Sequence, residues 1–270
     1  MDFAVPEPSD ALARMAEVRS EVNGEERRIS DWRDRYRDDL VANRRRPGVA
    51  IFSRFVNNLL ERAMLGEAWH RRQRVFKRAF VSYDAVTNQT ARQALEASGY
   101  RWGPENGAAV IMAAKYIVMG GGFTWRQYIR RAEERYESDF QDDAFLKIDN
   151  VGFKTRDLAL SELSDRFVAI DLHVVRVTSR TGLLLHGYGD PRITTDVGKS
   201  DGHGYRFFHD LMLKLAGRTG WPSTGYSPGE IDRMLWHFGR TICMATPLCR
   251  DCPLTGTCLT AVARGAAPGE

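Results

Sequence analysis

The sequence lacks the features of membrane and secreted proteins. It contains no uninterrupted run of about 18 apolar residues, and residues 1–18 carry acids and prolines where a signal peptide has a basic start and an apolar core. We therefore expect no membrane span, no secretion and a cytoplasmic location, nucleoid-associated if the protein is bacterial. Charge is nearly balanced, with 39 Lys and Arg against 35 Asp and Glu. Any attraction for a charged partner must come from local patches.

Strand signals are also scarce, which predicts an all-α fold. Residues 25–46 combine arginines and acids with Trp32, Tyr36 and Leu40 at helical spacing, which predicts an exposed helix with a narrow docking stripe. Helical patterns continue from residue 51, separated by Gly and Pro. Between residues 54 and 78, seven basic residues oppose Glu61 and Glu67, so this segment forms a basic stripe suited to a DNA backbone or a solvated helix face.

Cysteine is absent from all but the C-terminal part of the chain. The four cysteines follow the pattern Cys243-x5-Cys249-x2-Cys252-x5-Cys258, which leaves loops too short for useful stabilising disulfides. Four closely spaced thiolates are the ligands that a [4Fe-4S] cluster needs. Structural zinc and unliganded cysteines remain alternatives, although zinc sites usually contain two Cys-x2-Cys pairs and this chain has one.

Residues 148–160, IDNVGFKTRDLAL, read as a tight turn followed by a helix that begins at Phe153. Gly152 and Asn150 tolerate positive φ, so the turn and the helix start are expected to form an anion site for a nucleic-acid phosphate. Lys154 lies in the first helical turn, where the helix dipole disfavours a positive charge. A neutral amine there is a nucleophile, whereas a solvated surface lysine is the alternative.

A second candidate is Asp171 in residues 169–177, AIDLHVVRV. Its position after an apolar run and before a helical pattern predicts an N-cap. A carboxylate at a helix start can also face a cleft and act on a substrate. His173 is expected to pack structurally.

These two motifs and the tail HFGRTICMATPLCRDCPLTGTC (residues 237–258) together resemble the helix-hairpin-helix DNA glycosylases of the endonuclease III type. The resemblance covers about residues 50–260. It implies two helical lobes with a DNA cleft between them: residues 50–163, ending in the helix-hairpin-helix, and residues 1–49 plus 164–270, carrying the cluster loop at 243–258.

The resemblance also implies an activity, namely a base-excision-repair glycosylase that is also an abasic-site β-elimination lyase. Lys154 matches the family's nucleophile, Asp171 its catalytic aspartate, and the four cysteines its [4Fe-4S] ligands. The substrate is expected to be double-stranded DNA with a damaged or modified base, by default an oxidised pyrimidine, or an abasic site. The protein is expected to act as a monomer. The predicted DNA contacts are Asn150, Val151, Gly152, Thr155 and Arg156 in the hairpin, and Met64 and Leu65 as a wedge.

Two departures from the family pattern stand near the predicted pocket mouth. Leu172 stands where the family commonly has a threonine. Arg156 stands where the family commonly has a small residue, and it adds bulk and charge. Three other functions remain open: a dedicated abasic-site lyase, a non-catalytic DNA-binding module, and a zinc-stapled helical interaction domain.

Overall fold

The computed structural model describes residues 5–61, 66–120, 124–138, 143–189, 204–263 and 265. The described chain is mostly helical. The α-helices are α1 (Pro8–Ala16), α2 (Ile29–Arg44), α3 (Gly48–Leu59), α4 (Gly66–Ala79), α5 (Asn88–Ala97), α6 (Pro104–Gly120), α7 (Trp125–Ser138), α8 (Phe153–Leu160), α9 (Leu172–Thr181), α10 (Tyr205–Thr219), α11 (Pro228–Thr241) and α12 (Leu259–Ala263). Short 3-10 helices occupy Ala144–Lys147, Leu183–Gly187 and Cys249–Asp251.

The mostly helical chain agrees with the all-α expectation, and a small β-hairpin is its one departure among the described residues. Strands β1 (Arg19–Val22) and β2 (Glu25–Arg28) pair antiparallel, so the helix expected over residues 25–46 begins only at Ile29. Asn23 and Gly24 form the connection with φ values of 55° and 79°. Two-residue hairpin turns favour Asn-Gly because both central residues need positive φ.

The chain divides into two compact units. The central unit is Asp39–Ser164, and the other, the terminal unit, joins Met1–Asp38 to Asp165–Glu270. The sequence placed the divisions at 49/50 and 163/164. The first division in the structure lies inside α2 instead, at residues 38/39.

An aromatic cluster forms part of the core of the central unit and supports the segment before α8. Phe145 packs against Phe55 with ring centroids 4.8 Å apart and against Tyr128 at 5.2 Å, and Phe55 also contacts Trp125 at 5.0 Å. Phe145 belongs to the 3-10 helix that leads into the predicted hairpin. The cluster thereby anchors the start of that hairpin to α3 and α7.

The expected basic stripe is incomplete in the structure. Arg72 is fully buried, where its guanidinium donates to the backbone oxygens of Asn57 (2.6 Å) and Leu60 (3.2 Å) and to Asn57 Oδ1 (2.5 Å). Burial lowers its pKa to about 10. Arg54 pairs with Glu162, and Arg62 lies outside the described residues. Arg72 is therefore a structural residue and cannot contact a DNA backbone.

In the terminal unit, Trp32 of the stripe expected on α2 packs against a buried histidine of α11. Trp32 stacks on His237 with centroids 5.2 Å apart, and Ser20 Oγ lies 3.0 Å from His237 Nδ1. Burial, with smaller contributions from Arg233 and Arg240, lowers the pKa of His237 to about 3. The imidazole is therefore neutral at physiological pH.

We expect this buried imidazole to make the protein acid-sensitive. Between pH 6.5 and about 3 the unfolded state binds one proton more than the folded state at His237, so stability falls as pH falls through this window. The slope is at most about 1.4 kcal/mol per pH unit. Urea unfolding of wild type and His237→Gln at several pH values measures it. The difference in unfolding free energy between the two proteins at about pH 7.5 gives the structural cost of the substitution. If the unfolding free energy changes equally with pH in both proteins below pH 6, the prediction is contradicted.

Candidate active site and cysteine-lined cavity

The turn before α8 forms as the sequence predicted, and of the two candidate residues Asn150 takes the left-handed conformation. The Val151 amide donates to Ile148 O at 3.0 Å and closes the turn. Asn150 adopts φ 69°, whereas Gly152 has φ −106° and is the N-cap of α8. Asparagine is among the residues that best tolerate the left-handed region, so Asn150 supplies the reversal without a glycine.

Several of the predicted hairpin contacts are engaged within the protein. The Gly152 amide donates to Thr155 Oγ1 at 3.2 Å, and this hydroxyl donates to Gly152 O at 3.1 Å. Val151 and Thr155 are buried, while Asn150 and Gly152 are exposed. Thr155 therefore fixes the start of the helix, and the amides of Val151 and Gly152 already have partners inside the turn.

Arg156 was predicted to contact DNA, and the structure corrects this. Only 2% of the residue is exposed, and its guanidinium forms ion pairs with Asp143 at 3.3 Å and with Asp157. Asp143 also accepts a hydrogen bond from the Phe145 amide at 2.8 Å. A guanidinium held this way joins α8 to the start of the hairpin and adds no charge to the surface. Sequence reasoning missed Asp143, although an Asp two residues before Phe145 is a capping signal.

Lys154 lies in the first turn of α8 and its side chain is exposed. The helix starts there because Gly152 ends the turn and Thr155 caps it. The first-turn amides of a helix have no intrahelical acceptor, so this end of α8 presents donors beside an exposed amine. Lys154 is thus accessible to an anionic substrate.

Asp171 is the N-cap of α9, as predicted. Its Oδ1 accepts hydrogen bonds from the amides of His173 (2.7 Å) and Val174 (3.1 Å). Among the described residues, none donates to Oδ2. The residue is half-buried, so one carboxylate oxygen is fixed and the other remains available. Leu172 beside it is 70% exposed.

The predicted site residues lie in different parts of the chain, and some lie outside the described residues. Lys154 belongs to the central unit and Asp171 to the terminal unit. The expected wedge, Met64 and Leu65, lies outside the described residues, as do residues 190–203, which form most of a segment rich in Gly and Asp at 186–204.

The four cysteines line one cavity at the C-terminal end of the terminal unit. Cys243 and Cys258 are buried, and Cys249 and Cys252 are half-buried. Phe238 and residues of the cysteine loop supply apolar walls. Burial, followed by the proximity of the other three cysteines, raises the pKa of Cys252 to about 11. The four cysteines, which are closely spaced in the sequence, therefore also lie around one cavity in the structure.

Two arginines of α9 hold the cysteine loop. Arg176 donates to Cys243 O at 2.8 Å and to Gly239 O at 2.9 Å, and its NH2 lies 2.8 Å from His173 Nδ1. Arg180 donates to the backbone of Met244 and Ala245, and Cys258 Sγ donates to Arg180 O at 3.1 Å. The helix capped by Asp171 is thus bonded directly to the cysteine loop. Sequence reasoning missed these arginines, although their spacing of four places both on one face of α9.

The four thiols of this cavity are the type of ligand that a thiolate-bound metal centre needs. Four thiols from one short segment face a common space with apolar walls, the setting of an iron-sulfur cluster or of a zinc ion with four thiolate ligands. In the described part of the chain, no group of three or more His, Cys, Asp or Glu is arranged to hold a single metal ion.

Comparison with protein-family models and with curated proteins gave no match, so the functional argument rests on the residues of this chain. Within the described ranges, no single helix is long and apolar enough to cross a bilayer. Helix α6 and residues Trp125–Arg135 of α7 reach that length together, bent by 98°.

Proposed function

We propose that this chain is a bifunctional DNA glycosylase and abasic-site lyase that removes a damaged or modified base from double-stranded DNA. The observation that carries the proposal is the exposed amine of Lys154 in the first turn of α8, directly after a turn with a left-handed residue. A nucleophile in the first turn of a helix, where the amides have no intrahelical acceptor, suits a sugar whose neighbouring phosphate must be held. Asp171 supplies the carboxylate that the reaction requires.

Lys154 acts as the nucleophile in this proposal. Its Nζ forms a bond to C1′ of the damaged nucleotide, the bond from C1′ to the base breaks, and the base leaves with a proton. The sugar ring opens to give an imine between Nζ and C1′. Loss of a proton from C2′ then expels the 3′ phosphate, and water later releases the cleaved product from the lysine.

Asp171 stabilises the positive charge that develops on the sugar as the base departs. Because Oδ1 is held by two amides of α9, the carboxylate has a fixed orientation, and Oδ2 is available to the substrate. The same oxygen can accept and return protons during ring opening and imine formation.

The start of α8 positions the DNA backbone. Val151 and Gly152 have their amides bonded within the turn, so the phosphate contact falls to the first-turn amides of α8 and to the exposed Asn150. Such contacts set the register of the strand but do not read the base. Recognition of the lesion must therefore come from other residues.

Cys243, Cys249, Cys252 and Cys258 would hold a [4Fe-4S] cluster in this proposal. When bound, the cluster supplies a structural staple for the loop, with no part in the chemistry at the sugar. The bonds from Arg176 and Arg180 connect that staple to α9, and hence to Asp171.

The proposal is tested with a panel of duplexes, each with one lesion, incubated with the protein with and without later alkali. Strand breaks before alkali report the lyase, and additional breaks after alkali report base removal alone. We expect both on at least one oxidised pyrimidine. Cleavage of abasic DNA without removal of any base would instead identify a dedicated lyase, and no cleavage at all would refute the enzymatic assignment.

We expect Asp171→Asn to slow base removal by about 10²–10⁴-fold without unfolding the protein. Asparagine caps a helix as well as aspartate does, so the amides of His173 and Val174 keep an acceptor while the negative charge is lost. Single-turnover base release, with melting temperature measured in parallel, checks this.

Asp171→Ala is the comparison, because it also loses the cap at a cost of about 1 kcal/mol. A wild-type rate of base release in Asp171→Asn would show that the carboxylate serves only to cap α9.

A further inference from the structure

A groove runs along α6 in the central unit, beside the turn that precedes α8. One cavity of about 530 Å³ is lined by small apolar residues such as Ala109 and Ala113, and by Tyr116. A second cavity of about 40 Å³ reaches Trp102, and both cavities share Asn106 and Asn150. The larger volume lies in the range of about 300–1,000 Å³ that holds organic ligands. We call the two joined cavities the α6 groove.

Two aromatic side chains of the α6 groove are unusually open to solvent. Tyr116 is 79% exposed and Trp102 is 47% exposed. Aromatic side chains of this size are on average largely buried, because they remove so much apolar surface from water. Exposed rings at a groove therefore indicate a surface for a flat ligand.

The position of Trp102 is determined by a well-anchored loop. Gly99 adopts φ 71° at the end of α5, and the Tyr100 amide donates to Leu95 O at 3.0 Å. The Tyr100 ring packs so closely on Gly107 that a Cβ at Gly107 would lie 2.9 Å from it. Because Tyr100 is fixed on one side, Trp102 is presented to the groove.

The chemistry of the lining suits nucleobases more than phosphates. One lysine and one aspartate line the groove, so their charges offset each other. The side-chain amide of Asn106, which lines both cavities, can both donate to and accept from the edge of a base. From residue 106 to residue 116, α6 rises about 15 Å, the length of about four stacked nucleotides at ~3.4 Å each.

We propose that the α6 groove binds unpaired nucleotides of a DNA strand, with bases stacked on Trp102 and Tyr116 and their edges bonded by Asn106. Stacking is tolerant of sequence because every base has a flat face. The inference extends the proposed function, because it adds DNA with an unpaired segment to the substrates of the chain. Binding of nucleotides in the α6 groove does not require a reaction at Lys154.

The test uses the full chain and a fluorescein-labelled oligothymidylate of eight nucleotides, with affinity measured by fluorescence anisotropy. We expect Trp102→Ala and Tyr116→Ala each to weaken binding about 5- to 100-fold, the usual effect of removing one stacking ring. Trp102→Phe and Tyr116→Phe should restore most of the affinity, because phenylalanine also stacks. Tyr188→Ala is the matched control, since Tyr188 is 61% exposed but belongs to the terminal unit, and it should bind as wild type does.

The proposal is overturned if wild type does not bind the oligonucleotide, or if both alanine variants bind it as tightly as wild type. A groove that accepts a peptide instead would give one of these results. Borohydride trapping on abasic duplex, measured with the same proteins, separates the two proposals. If the protein is trapped on abasic DNA but its oligonucleotide binding does not depend on Trp102 and Tyr116, only the groove proposal is refuted. If oligonucleotide binding depends on these residues but no trapping occurs, only the glycosylase proposal is refuted.

Discussion

Replacing Lys154 with glutamine is expected to abolish both borohydride trapping of the protein on abasic-site DNA and strand cleavage by β-elimination. Glutamine has no amine that can form the imine with C1′, so the covalent route is lost, and we expect a rate loss of at least about 10³-fold. The side chain is exposed, so the substitution should leave the melting temperature unchanged. Denaturing gels of trapped complexes and of cleaved duplex measure the two effects.

Lys147→Gln is the matched control for this experiment. Lys147 is also exposed and lies seven residues earlier, in the 3-10 helix before the turn. It should still form the trapped adduct, which would show that Lys147 is not the nucleophile. Loss of the adduct in Lys154→Gln, which keeps Lys147, would show that an exposed lysine near the turn is insufficient. An adduct of equal yield in Lys154→Gln would mean that another amine is the nucleophile, and the assignment of Lys154 would then be wrong.

The local geometry of the candidate site was predictable from short sequence segments. The turn before α8, the start of that helix at Phe153 and the N-cap role of Asp171 all depend on residues within a few positions of each other. The conformation of Asn150 follows the same logic, although Gly152 was an equal candidate for positive φ. The β-hairpin was missed although its signal, Asn23-Gly24, is present, because the arginine-rich residues 25–28 were read together with the helix that follows.

The long-range partners of charged residues were not predictable. Arg156 and Arg72 both look like surface cations in the sequence, yet each is buried among acceptors that the fold brings to it. Asp143 lies 13 positions from Arg156, and Asn57 lies 15 positions from Arg72. Local composition carries no information about such pairs, because burial of a charge is decided by tertiary packing. A basic segment is thus weak support for a DNA-binding face until its arginines have been placed.

The structure around the cysteine motif was predictable only in part. Spacing alone predicted that the four thiols share one location, and they line a common cavity. Spacing did not predict that Arg176 and Arg180 bind the carbonyls of the loop, because the loop and α9 are about 65 residues apart. In the proposed function these bonds connect the loop to the helix that Asp171 caps.

Substitution of one cysteine, Cys252→Ala, is therefore expected to prevent binding of the proposed metal centre and to destabilise the terminal unit. Binding of a metal centre to a folded site contributes directly to folding free energy, by about 10–16 kcal/mol for structural zinc in small peptides. A loss of only about 3 kcal/mol would lower the melting temperature by roughly 6–12 °C in a chain of this size. Iron, sulfide and zinc analysis, absorbance at about 400 nm and thermal unfolding measure the effect.

Arg250→Ala is the control, because Arg250 is exposed and lies between Cys249 and Cys252 in the same loop. It should keep both the metal content and the melting temperature of wild type. Four iron and four sulfide per chain in wild type, lost in Cys252→Ala, would establish the cluster, whereas one zinc per chain would replace it with a zinc staple. If Cys252→Ala keeps the stability of wild type, the thiols bind nothing that supports the fold. In that case the hydrogen bonds that join the loop to Arg176 and Arg180 must hold it against α9 without a metal centre, and the position of Asp171 would owe nothing to a cofactor.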